Sequence, residues 1–152
     1  MGLESAQPKP IAIVIADDDA DDRMLARDAL AEARLANDLF FVQDGEELLD
    51  FLRRRGRYAD PAAAPRPGLI LLDLNMPRMD GREALAEIKA DPELRRIPVV
   101  VLTTSKAEED ILRSYKLHAN AYVAKPVDFE AFVKVVRQVD EFYINVVRLP
   151  PR

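Results

Sequence analysis

Apolar residues fall in short runs separated by amphipathic stretches. Continuous apolar runs at 11–16, 68–72 and 98–102 do not alternate with polar positions. Such runs mark central parallel strands covered on both faces. Weaker strands are read at 39–43 and 120–123. Between them, helical spacing predicts helices over 20–36, 45–55, 81–90, 106–117 and 128–142. The first carries an inward stripe of Leu25, Ala29, Leu30 and Ala33. Asp19 and Asp44 stand where helix caps are expected, with Asp21 and Asp22 at the positive end of the first helix. Gly56 reads as the stop of the second helix. Residues 57–67, with Pro61, Pro65 and Pro67, read as a loop.

The order is strand–helix repeated five times. That predicts an α/β fold, a doubly wound parallel sheet of flavodoxin-like (βα)5 type, with strand order 2-1-3-4-5 and the second strand at an edge. In such sheets ligands bind beyond the carboxyl ends of the strands, near the point where the strand order reverses. The polar residues at those ends are Asp17-Asp18, Asp73, Thr103 and Lys125-Pro126. Three carboxylates brought together repel one another. A divalent cation relieves this, and Mg²⁺ suits an all-oxygen site. The pattern predicts Mg²⁺-dependent phosphate chemistry.

The chain has 152 residues, enough for one domain with a sizeable core. Its net charge of −5 argues against nucleic acid and anionic membranes as partners. It has no cysteine, which excludes disulfides and thiolate metal sites. No apolar run reaches the ~20 residues of a membrane helix, and residues 1–10 read as a flexible polar arm rather than a signal peptide. The expected location is the cytoplasm.

The segment D-L-N-M-P-R-M-D-G at 73–81, after L-I-L-L, resembles the phosphoacceptor segment of bacterial response-regulator receiver domains. Asp17-Asp18 after I-V-I-A, Thr103 after V-V-V-L, and Y-V-A-K-P at 122–126 are similar to the other signatures of that family, in the same order. The resemblance covers residues 11–142. It implies a two-component phosphorelay protein, phosphorylated on Asp73 by a sensor histidine kinase, rather than an enzyme with its own substrate. It also implies Mg²⁺ held by Asp17, Asp18, Asp73 and the backbone carbonyl of Asn75, with Asp18 the more direct ligand. Thr103 and Lys125 would contact the phosphoryl oxygens, and Tyr122 would act as the aromatic switch. Asn75 and Ser105 would tune the phosphate lifetime, which Thr104, bulkier than the alanine common there, leaves open. The bond before Pro126 could be cis.

Other readings of the same residues are plainer. Asp73 could merely cap a turn, and D-D-D-A-D-D could be an acidic helix start. Thr103 suits a strand end by propensity alone, Tyr122 suits a core, and Lys125 suits a solvated surface. His118, the single histidine, reads as an exposed spectator, so the donor histidine belongs to another protein. Arg53, Arg54, Arg55 and Arg57 read as partners of the negative end of the second helix.

Residues 143–152 continue apolar past the fifth helix and read as an extension that covers a second subunit, making a homodimer. With the loop at 57–67, this resembles the stand-alone regulators that work with bacterial phytochromes. Two rivals remain. In an aspartyl-phosphate phosphatase a second aspartate commonly lies two residues after the nucleophile, but Asn75 holds that place. A dimeric scaffold without phosphorylation would leave the whole residue set unused.

Overall fold

In the computed structural model, the residues described are 12–32, 38–103, 119 and 121–124. Five parallel strands form one sheet: β1 (Ile13–Ala16), β2 (Leu39–Val42), β3 (Leu69–Asp73), β4 (Val99–Thr103) and β5 (Ala121–Ala124), in the order β2-β1-β3-β4-β5. This is the predicted order, with the reversal between β1 and β3 and with β2 at an edge.

Alternate residues of the central strands enter different layers. Val14, Ala16, Ile70, Leu72, Val99 and Val101 join a buried cluster with two helices, α2 (Gly45–Arg53) and α3 (Gly81–Ala90). Those helices contribute Leu48, Leu49, Phe51, Leu52, Ala84, Leu85 and Ile88. The intervening residues, Ile13, Ile15, Leu69, Leu71, Val100 and Leu102, are buried as well. Burial on both faces explains why these strands read as continuous apolar runs. Each fully buried aliphatic side chain contributes roughly 1.5–3 kcal/mol.

A further helix, α1 (Ala20–Glu32), follows β1 after the three residues 17–19. Its turn toward the protein is set by Ala26, which is buried, while Leu25 is half-buried. Leu25, from the predicted stripe, is thus partly covered, and Ala26 beside it is covered more fully. Ala29, Leu30 and Ala33 lie outside the residues whose side chains are described. The Arg27 guanidinium lies 4.9 Å from the centre of the Phe41 ring, tying α1 to β2.

The second helix stops earlier than predicted. Arg54, at φ +54°, is its left-handed cap, and its N–H donates to carbonyls of the last turn. Gly56, also at positive φ, instead begins a 3-10 turn, Gly56–Tyr58, inside the predicted loop. Arg54 accepts this unfavourable conformation while its side chain donates to the Ala64 carbonyl at 3.1 Å, which ties the following loop to the helix. A second 3-10 turn, Leu94–Arg96, precedes β4. The predicted helices at 106–117 and 128–142, the arm at 1–10 and the extension at 143–152 lie outside the described residues.

Candidate functional site

Asp17 and Asp73 are brought together by strand register. Ile13 pairs with Leu69, and the pairing runs without a break to Ala16 opposite Leu72. One step further stand Asp17 and Asp73. Each continues the strand face of Ile15 and Leu71, so both carboxylates emerge on the same side of the sheet. Both are buried, at 3% and 2% exposure, and Asp18 beside them is exposed. Carboxylate oxygens of Asp17, Asp18 and Asp73 all lie within 4.8 Å of one another.

The two buried carboxylates are held alike. Asp17 Oδ1 accepts the N–H of Asp19 at 3.0 Å, and Asp73 Oδ1 accepts the N–H of Asn75 at 3.2 Å. Such side-chain turns fix an aspartate at the point where a strand gives way to a loop. The backbone around Asp17 is braced too. Its N–H donates to the Val42 carbonyl, and the Arg23 guanidinium donates to the Asp17 carbonyl at 2.9 Å.

Beyond Asp73 the chain makes a short loop and returns. The Gly81 N–H donates to the Leu74 carbonyl at 3.0 Å, and a Cβ at Gly81 would stand 2.5 Å from the Asp73 carbonyl oxygen. Only glycine permits that closure without displacing the backbone of Asp73. Within the loop, Met76 is buried and Asn75 is exposed. Asp80 caps α3 by accepting the Glu83 N–H at 3.0 Å. That cap is absent from the sequence reading, although an Asp directly before a helical run is the signal that marks one.

The arrangement suits a divalent cation. At an effective dielectric of about 20, two unit charges this close repel by on the order of 3 kcal/mol. Hard oxygen donors alone, with one carboxylate open to water, fit an ion that keeps part of its hydration shell. A carboxylate with its orientation fixed can also serve as a nucleophile.

The other predicted residues are placed only in part. β4 ends at Thr103, one residue beyond Leu102, the register partner of Asp73. Tyr122 lies within β5 opposite Val101. The side chains of both fall outside the description. Lys125, Pro126, Thr104, Ser105 and His118 lie outside the described residues altogether.

The arginines near the end of α2 are engaged with their own protein. Arg53 pairs with Glu87 at 3.2 Å and Arg55 with Asp50 at 3.1 Å, while Arg57 pairs with Glu47. They brace the helix and the loop after it, and no free basic strip remains among them. No helix among the described residues is long and apolar enough to cross a membrane.

Comparison with known proteins agrees with this geometry. A family model described as the response regulator receiver domain matches residues 13–137. The response regulator Rcp1 of Synechocystis sp. is 43% identical over 150 residues, 99% of each chain. The crystal structure of the phosphorylated cyanobacterial phytochrome response regulator RcpA superposes with a TM-score of 0.80 at 44% identity, covering 91% of this chain and 96% of that one. The Mn²⁺-bound form of Rcp1 superposes with a TM-score of 0.76 at 42% identity, covering 88% and 94%.

Proposed function

From the premise that this chain belongs to the response regulator receiver domain family, acting as a phosphoacceptor in two-component signalling, we propose that Asp73 is the phosphorylated residue. The observation that carries this reading is the fixed, buried Asp73 carboxylate with Asp17 and Asp18 within 4.8 Å.

A carboxylate oxygen of Asp73 attacks the phosphorus of a phosphohistidine on the partner kinase. The new O–P bond forms as the P–N bond breaks, and the departing imidazole takes a proton from water. The product is an acyl phosphate on Asp73. The turn to the Asn75 N–H orients the attacking group, and the closed loop to Gly81 keeps its backbone in place. Asp17, Asp18, Asp73 and the Asn75 carbonyl would hold Mg²⁺. When bound, the ion supplies positive charge that offsets both the carboxylates and the transferring oxygens.

Thr103 and Lys125 receive the phosphoryl oxygens, Tyr122 follows Thr103 as a switch, and Asn75 and Ser105 set the phosphate lifetime. Resemblance to RcpA, a cyanobacterial phytochrome response regulator, supports a bacterial phytochrome as the kinase. The acidic, cysteine-free composition fits a cytoplasmic location, and the apolar residues of the 143–152 extension fit a homodimer made through it. Removing 143–152 should shift the mass measured by light scattering from dimer to monomer. An unchanged dimer would place the contact elsewhere.

The deciding experiment is intact-protein mass after incubation with acetyl phosphate, with Mg²⁺ or with EDTA. Wild type should gain one phosphoryl group only with Mg²⁺, and Asp73→Asn should gain none. An adduct that persists in Asp73→Asn would assign the phosphate to another residue.

A further inference from the structure

Gly45, the first residue of α2, touches the loop that follows Asp73. Its N–H donates to the Met79 carbonyl at 2.8 Å. A Cβ at Gly45 would stand 2.5 Å from that carbonyl oxygen and 2.8 Å from Met79 Cγ. No ordinary side chain fits at such a separation, so glycine lets two backbones meet here. The preceding residue reinforces the contact. The Asp44 carboxylate accepts the Glu47 N–H at 2.8 Å and lies 3.9 Å from the Arg78 guanidinium.

Arg78 is itself at φ +61°. A non-glycine residue in the left-handed region is strained, and such a conformation persists where the surroundings over-determine it. Here those surroundings are the Gly45–Met79 bond on one side and the loop closure at Gly81 on the other. The loop therefore has two anchors. Gly81 ties its ends to Leu74 and Asp73, and Gly45 holds it against a different helix.

We propose that Gly45 is a positioning residue for the cation site. Through Met79 it holds the Asp73-to-Gly81 loop, and with it the Asp73 carboxylate and the Asn75 carbonyl, in register with Asp17 and Asp18. The proposal rests on the reading of those residues as a divalent-cation site. Coupling of this kind is reciprocal. If the Gly45–Met79 contact favours the cation, the cation must favour the contact.

Two measurements test it. Titration calorimetry with Mn²⁺ should show Gly45→Ala binding about fivefold more weakly than wild type, within the usual range of coupling through packed networks. A folded Gly45→Ala protein with a lowered melting temperature but wild-type Mn²⁺ affinity would overturn the proposal and leave Gly45 a purely structural glycine. Amide hydrogen exchange on wild type is the second measurement, and it decides alone if the variant does not fold. The Gly45 amide should exchange several-fold more slowly in saturating Mg²⁺, and an unchanged rate would overturn the coupling. Failure of wild type to bind Mn²⁺ at all would overturn the cation-site reading, and the positioning role with it.

Discussion

At the ends of β1 and β3, Asp17 and Asp73 each accept an N–H from two residues further on. At the starts of α1, α2 and α3, Asp19, Asp44 and Asp80 accept an N–H from two or three residues on. Locally the two groups look alike. They differ in what surrounds the charge. A cap aspartate faces the unsatisfied amides and positive end of its own helix, which neutralise it. A strand-end aspartate is set beside another carboxylate by the register of the sheet. Burial alone does not separate them, because Asp44 is also buried. The charge environment does.

Substitutions can break this contrast, and Asp18→Ala should do most. It should lower Mg²⁺ or Mn²⁺ affinity by about tenfold or more, since ligand charge sets affinity at such sites. Stabilisation by the cation should fall with it, to about 0.4 kcal/mol or less at a Mg²⁺ concentration ten times the wild-type Kd. In wild type, Mg²⁺ at ten times its Kd should raise the unfolding free energy by about 1.4 kcal/mol, measured by urea denaturation. An Asp18→Ala protein that Mg²⁺ stabilises as much as wild type would remove Asp18 from the site.

Asp19→Ala tests the other group one residue away. Losing a cap costs about 1 kcal/mol. Cation affinity should change by less than about threefold, because the lost charge is exposed and screened. A larger loss of affinity would make Asp19 part of the site and dissolve the distinction.

The smallest effect concerns Asp91, which accepts the N–H groups of Glu93 and Leu94 at 2.9 and 3.2 Å, away from the acidic cluster. Those two bonds, helped by Arg53 and Arg66, hold its carboxyl below the usual value of 3.8. A carboxyl depressed in the folded state adds stability above its unfolded pKa and loses it as pH falls through the folded one. Asp91→Asn should therefore be slightly less stable than wild type at pH 7, and the gap should close below about pH 4. A gap that widens in acid would contradict the assignment.

The sequence carries this contrast only in part. Apolar runs ending in Asp17-Asp18 and Asp73 reveal the strand-end group, because double-sided burial leaves an unbroken apolar signature. Asp19 and Asp44 are legible as caps from their place before helical stripes. Harder to read are features that depend on partners distant in the chain. Arg54, rather than Gly56, ends α2, and its guanidinium donates to Ala64, ten residues on. Gly45 resembles any first helical residue until the loop at Met79 is folded against it.

The unbroken register of β1 on β3 also bears on how such a chain can change over time. Asp17 and Asp73 are neighbours because Ala16 lies opposite Leu72, whatever the length of chain joining them. Residues inserted or lost in the stretch around 57–67 change that length without sliding one strand along the other. A deletion inside either strand would turn one carboxylate to the opposite face of the sheet. The acidic cluster is thus insulated from drift in the connecting loop and exposed to single-residue gaps in the strands.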